Sequence, residues 1–297
     1  MHPLKTLLDH RHESNLKGIV SICTASPMVI EACFDYYKNI QSPLIIEATA
    51  NQVNQEGGYT GMKPQDYVDF VYKMAKENNF PLDRLFLGGD HLGPLTWSKL
   101  NAFDAMNKAE VLVHDFVLAG FTKIHLDTSM HLADDGKELL TETIAERGIR
   151  LMKVCENAYV KRLEIYPNSP MPVYIIGSEV PIPGGAQEVE EGLEVTKVND
   201  FKHTVEVYYD LMKKEGLESV FERVLAVVVQ PGVEFSDASV HEYNPIKAKE
   251  LVDSLKDYPT IVFEGHSTDY QTKFGLRNMI NDNISILKVG PALTFAL

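Results

Sequence analysis

Eight short apolar runs rich in β-branched residues, each followed by a stretch of helical character, predict an α/β chain of the TIM (β/α)8 barrel class. The length of 297 residues fits one such barrel. No linker or low-complexity run divides the chain, so it reads as one domain. A doubly wound open sheet is the competing architecture, but eight evenly spaced strand–helix units favour closure.

The first two strands are expected at 18–24 (GIVSICT) and 43–49 (PLIIEAT), the third and fourth at 85–91 (LFLGGDH) and 121–127 (FTKIHLD). The fifth and sixth follow at 172–179 (PVYIIGSE) and 224–230 (VLAVVVQ), the last two at 260–266 (TIVFEGH) and 285–290 (SILKVG). Short length, β-branched and aromatic content, and flanking Gly or Pro mark these as strands rather than buried helices. Helices are expected over 64–77, 101–119, 138–156, 202–215 and 245–255. Pro64 suits a first turn, and Asn244-Pro245 reads as a cap followed by the first helical residue. Residues 1–17 read as an N-terminal helical segment preceding a barrel over 18–297. Only 291–297 (PALTFAL) follow the eighth strand, too few for a full closing helix. Either the chain is a fragment or 4–12 helps to cover the exposed flank; a truncated or incompletely closed barrel is the expectation.

Hydrophobic residues make up 44% and charged residues 24%, the balance of a soluble globular protein. Lys and Arg number 28 against 42 Asp and Glu, a net charge of −14 with no basic stripe, which argues against nucleic-acid binding. No uncharged apolar run reaches 18 residues, which argues against a membrane span. The three cysteines form no CxxC and leave an odd count; with a start unlike a signal peptide, this suggests a cytoplasmic protein.

Barrel active sites form at the C-terminal ends of the strands. Those ends are unusually polar here: Glu47, Asp90-His91, Asp127, Glu179, Gln230, and Glu264 with His266. A lone buried carboxylate costs several kcal/mol. A ring of them suggests a cation or a polyhydroxylated ligand at the mouth, although single members can serve as helix caps or lysine partners. In GGDHLGP, glycines flank the Asp90-His91 pair, so a bend can turn both side chains toward one ligand. His91, His266 and Glu179 are the candidate ligands of a catalytic divalent metal, Zn2+ or Mn2+, and Asp90 the candidate proton carrier. Glu47, Asp127 and Glu264 are further candidate catalytic groups; a metal-free site is the alternative.

Lys123, His125 and Asp127 alternate along the fourth strand, and Lys288 lies on the eighth. Structural ion pairing is expected of the two lysines rather than a Schiff base. Ser267, Thr268 and Gly290 lie in loops suited to anions or sugars, and Asn51 and Gln230 are further candidate ligand contacts. No GxxxxGK[ST] or protein-kinase signature occurs.

The segments IEATANQVNQEGGYTGM, LGGDHLGP, GFTKIHLDTSM, GSEVPIPGGA, VVVQPGVEF, FEGHSTDYQT and LKVGPALTFAL resemble the GatZ/KbaZ family, from about residue 18 to 297. These are the so-called non-catalytic subunits of class II D-tagatose-1,6-bisphosphate aldolase, sometimes labelled tagatose-6-phosphate kinase. The resemblance implies a barrel that acts in galactitol, tagatose and N-acetylgalactosamine breakdown. It also implies a partner, the catalytic class II aldolase subunit, whose activity and stability this chain would support. Similarity to that zinc-dependent subunit casts Asp90 as the proton-transferring Asp and His91 and His266 as metal ligands. The pattern departs at Gln230, where a further histidine would be expected. Some relatives are metal-dependent sugar or sugar-phosphate 4-epimerases.

Two expectations follow. The chain is an accessory subunit bound through an apolar patch, with self-association also open. Alternatively, it is an enzyme that uses a divalent metal to epimerise or cleave fructose or tagatose phosphates.

Overall fold

The computed structural model describes residues 2–9, 17–177, 193–236 and 238–297. Ten strands occur in chain order: β1 (Ile19–Cys23), β2 (Leu44–Thr49), β3 (Leu85–Leu92), β4 (Lys123–Leu126), β5 (Val173–Ile176), β6 (Val224–Val229), β7 (Glu234–Phe235), β8 (Val240–His241), β9 (Val262–Gly265) and β10 (Ile284–Val289). All but β7 and β8 form a closed parallel barrel in the order β1-β10-β9-β6-β5-β4-β3-β2. β7 and β8 form a small antiparallel ribbon that no sequence pattern announced.

Each predicted strand run coincides with one barrel strand to within a few residues. The expectation of incomplete closure is corrected. β1 pairs with β10 through Ile19↔Ile286 and Ser21↔Lys288. Closure depends on that ladder, and no helix after β10 is needed to complete it.

The helices are α1 (Pro3–Leu7), α2 (Pro27–Tyr37), α3 (Pro64–Glu77), α4 (Ala102–Ala119), α5 (Thr141–Ile165), α6 (Val198–Lys214), α7 (Glu218–Phe221), α8 (Pro245–Ser254), α9 (Lys273–Asn281) and α10 (Pro291–Phe295). Local chemistry sets their ends. Asn101 Oδ1 accepts the Asp104 N–H at 2.9 Å to cap α4, and Asn244 Oδ1 accepts from Ile246 at 3.0 Å to cap α8. α4 ends on Gly120, whose φ of 115° lies in the left-handed region. α5 begins later than expected and runs on to Ile165, because nothing interrupts it before the Tyr166-Pro167 step. Among the described residues, no helix is long and apolar enough to cross a membrane.

Outward-facing strand residues such as Ile46, Leu87, Ile124 and Phe263 join the helices in the larger core cluster. Inward-facing Ile45, Phe86, Val173, Ile175, Ala226, Val262 and Ile286 form a second cluster inside the lower barrel. Leu4 and Leu8 belong to this second cluster, so α1 plugs the N-terminal end of the barrel rather than covering its flank. Lys5 Nζ donates to the carbonyls of Val224 (3.0 Å) and Thr260 (2.9 Å), at the starts of β6 and β9. His2, also buried, accepts the Leu4 N–H on Nδ1 at 3.1 Å and so caps the plug.

Leu4 is fully buried and Thr6 exposed. Leu4→Ala is expected to cost about 2–4 kcal/mol, and Thr6→Ala under about 0.5 kcal/mol, in urea unfolding. Burial pushes the His2 imidazole from 6.5 down to about 4. The unfolded chain therefore takes up that proton first, and stability falls as pH drops from 6.5 toward 4. Unfolding midpoints across that window should fall less steeply in His2→Asn.

Candidate functional site

Above the apolar layer, the barrel interior becomes ionic. Lys123 Nζ on β4 lies 2.8 Å from Glu47 Oε1 on β2 and 2.7 Å from Glu264 Oε2 on β9. Lys288 Nζ on β10 pairs with Glu47 Oε2 and lies 2.8 Å from Asp90 Oδ2 on β3. All five side chains are buried. Stripping water from such ions costs several kcal/mol each, so every charge must be compensated in place. Burial pulls both lysines toward neutrality, but Glu264 and Glu47 hold Lys123 above its ordinary value, and Asp90 and Glu47 hold Lys288 well above. Ion pairing is thus what these lysines do, and neither presents a neutral amine. Burial opposes ionisation of Glu264 too; Lys123 outweighs it and holds the carboxyl well below its usual range. Room for Glu47 comes from Gly88, where a Cβ would overlap the Glu47 carboxylate.

The next layer up is built by an irregularity in β3. Gly88 and Gly89 pair with Lys123 and Ile124, but Leu92 pairs with Leu126, so β3 carries one extra residue. His91 takes the left-handed φ of 46° in this bulge. Consecutive Asp90 and His91 thereby both serve the interior, as the flanking glycines suggested.

Three histidines meet there. The ring centroids of His91 lie 4.8 Å from His125 and 5.0 Å from His266, and those of His125 and His266 lie 5.4 Å apart. Each ring has one nitrogen tied to an oxygen acceptor. His91 Nδ1 lies 2.7 Å from Asp127 Oδ2, His125 Nε2 3.1 Å from the Gly177 carbonyl, and His266 Nε2 3.0 Å from Glu264 Oε1. In a neutral imidazole, a nitrogen donating to oxygen leaves its opposite nitrogen with a lone pair. The remaining nitrogens are then His91 Nε2, His125 Nδ1 and His266 Nδ1. His125 Nδ1 has two neighbours, the His91 backbone N–H at 3.2 Å and Asp90 Oδ1 at 3.2 Å.

One ligand atom each from Asp90, His91, His125 and His266 lie within 4.8 Å of one another. Oxygen acceptors that orient the far side of ligating histidines are the usual outer support of a metal site. Four buried carboxylates in the barrel (Glu47, Asp90, Asp127, Glu264), with Asp269 a fifth at the mouth, outnumber the two buried ammonium groups and leave an excess of negative charge if the imidazoles are neutral. A divalent cation would reduce it, so the residues present fit such an ion. Burial opposes the charge on Asp90, but Lys288 and then His91 hold it ionised and well below the usual range. Burial also opposes protonation of His91, yet Asp90 and Asp127 outweigh it and raise its pKa. Burial pushes His266 down to about 4.

A cavity of about 840 Å³ opens over this layer, with Asp90, His91, His266 and Lys288 at its floor. Asn51, Ser267 and Gly290 line it, together with Thr24, Thr49, Gln52, Thr60 and Asp269. Other candidates lie elsewhere. Thr268 Oγ1 donates to the Lys288 carbonyl at 2.6 Å and braces β10. Gln230 Oε1 accepts from Gly232 (2.8 Å) and Val233 (2.9 Å) and so shapes its own turn. Glu179 lies outside the described residues. Sequence reasoning left His125 out of the site, although its alternation with Lys123 and Asp127 already placed the three on one strand face.

A family model described as D-tagatose-1,6-bisphosphate aldolase subunit GatZ/KbaZ-like matches residues 4–297. The chain is similar to the crystal structure of "a probable tagatose 6 phosphate kinase from Sinorhizobium meliloti 1021", with a TM-score of 0.84 and 45% identity. That match covers 94% of this chain but 66% of the other, so the chain spans just under two thirds of that relative's length. The YdjI aldolase from Escherichia coli K12 matches at TM-score 0.55 and 14% identity, over 99% of this chain and 81% of that one. Fructose-bisphosphate aldolase from Campylobacter jejuni matches at 0.53 and 15%, over 94% and 73%. At such identities these two aldolases attest to the barrel alone.

Glu47→Ala would leave each lysine one carboxylate short inside the barrel. It is expected to cost about 3–5 kcal/mol in urea unfolding, as for a broken buried ion pair.

Proposed function

Because the chain belongs to the GatZ/KbaZ-like family, we propose that its mouth binds a ketose or ketose phosphate over a divalent cation and breaks or remakes the C3–C4 bond. The observation that carries this reading is the set of three histidines, each with one nitrogen tied to an oxygen acceptor and the other turned to a shared centre. Zn2+ or Mn2+ held by His91, His125 and His266 would supply Lewis-acid polarisation of a ketose oxygen.

The remaining roles fall to the chain. Lys288 occupies Asp90 Oδ2, so Oδ1 is the oxygen that faces the histidines. Asp90 takes the proton of the C4 hydroxyl; C4–O becomes a carbonyl as C3–C4 breaks, and the bonding pair moves toward the C2 carbonyl. Release of the fragments is aldol cleavage. Turning the aldehyde before the bond re-forms gives the 4-epimer, with Asp90 returning the proton. Asp127 positions His91, while Glu47 and Glu264 hold the lysines and His266 in place. Asn51, Gln52 and the cavity threonines suit sugar hydroxyls, with Asn51 and Ser267 as the foremost contacts. A cytoplasmic location and a role in galactitol, tagatose or N-acetylgalactosamine breakdown accord with this reading.

A second reading, the accessory subunit of a catalytic class II aldolase, draws on the exposed Phe274 and Phe295, which offer apolar surface to a partner.

Purified protein should carry about one Zn2+ or Mn2+ per chain by mass spectrometry, and His125→Ala should lose it. Turnover of fructose 6-phosphate or tagatose 6-phosphate should fall about 100- to 10,000-fold in Asp90→Asn. No turnover with either metal, together with higher thermal stability of a co-expressed class II aldolase, would replace this reading with the accessory one.

A further inference from the structure

The loops after β9 and β10 form one wall of the mouth, where barrel enzymes commonly receive a ligand phosphate on backbone N–H groups. In this chain those donors are already taken. Asp269 Oδ1 accepts the Gly290 N–H at 3.1 Å and the Ala292 N–H at 2.8 Å. Asp269 is 3% exposed and lines the cavity beside His266 and Ser267. The carboxylate thus stands where a phosphate would otherwise find these two donors, and a second anion beside it would meet repulsion without their hydrogen bonds to gain.

Among the described residues, no lysine or arginine free of carboxylate partners lines the cavity to relieve that repulsion. Lys288 is the one Lys or Arg lining the cavity among the described residues, and Glu47 and Asp90 hold it.

We propose that Asp269 is a specificity residue: it reserves the β9–β10 wall for an uncharged hydroxymethyl end, so the mouth takes ketoses with at most one phosphate and rejects bisphosphates. The inference rests on the reading that the mouth binds a ketose, and it narrows the class of ketose. It does not depend on which end of the sugar meets this wall, because a bisphosphate presents a phosphate either way. Rejection works by removing the binding contacts and adding a repulsive one.

Calorimetric titration of the full Mn2+-loaded chain tests this without requiring turnover. D-fructose 1-phosphate, D-fructose 6-phosphate and D-fructose 1,6-bisphosphate are the probes. The bisphosphate should bind at least about tenfold more weakly than the better monophosphate, a difference of about 1.4 kcal/mol. Asp269→Gly, which frees both N–H groups, should shrink the gap to under about threefold. Asp269→Asn, which keeps an acceptor and drops the charge, should fall between. Equal binding of the bisphosphate and the better monophosphate by wild type would overturn the proposal and leave the ketose site standing. So would an unchanged gap in either variant whose melting temperature and monophosphate affinity are retained; if neither variant folds, the wild-type comparison decides. Failure of all three sugars to bind would overturn the ketose site and this inference together.

Discussion

The structure depends on one constraint: charges buried inside the barrel must be balanced where they stand. Two ammonium groups and three carboxylates, contributed by β2, β3, β4, β9 and β10, interlock with every side chain buried. Desolvation makes each costly alone, so the set is retained only as a whole. This network divides the interior into an apolar floor, an ionic middle and an imidazole-lined top.

The top layer inherits its geometry from the middle one. Glu264 binds both Lys123 and His266, and Asp90 binds Lys288 while it faces His91 and His125. The histidines are therefore aimed by groups that are themselves fixed. Asp127 extends the scheme upward, held by the Ser129 N–H and hydroxyl while it orients His91. A ligand at the mouth meets an array that needs little rearrangement, the condition under which fixed dipoles and charges act most strongly.

Much of this is legible in the sequence because short, near-continuous apolar runs with β-branched content report directly on buried parallel strands. The Asp90-His91 bend was legible as well, since Gly88, Gly89 and Gly93 leave the space and freedom such a bend requires. Closure was misjudged: counting helices after the last strand ignores that β1 and β10 satisfy each other's backbone groups. The plug was misplaced because a five-residue helix carries no periodic signal of what it covers. His125 went unassigned because its neighbours Lys123 and Asp127 drew the ionic interpretation, although all three share one parity. Gln230 shows the opposite limit. Its position at a strand end was readable, but the turn that engages its side-chain carbonyl was not.

The plug also bears on how the molecule is assembled. Lys5 fastens to carbonyls of Val224 and Thr260, which leave the ribosome more than 200 residues later. The segment that carries α1 therefore has no seat until nearly the whole sheet exists, and must wait for it during translation. Docking of α1 is in this sense a late proofreading step. It can succeed only on a correctly joined cylinder.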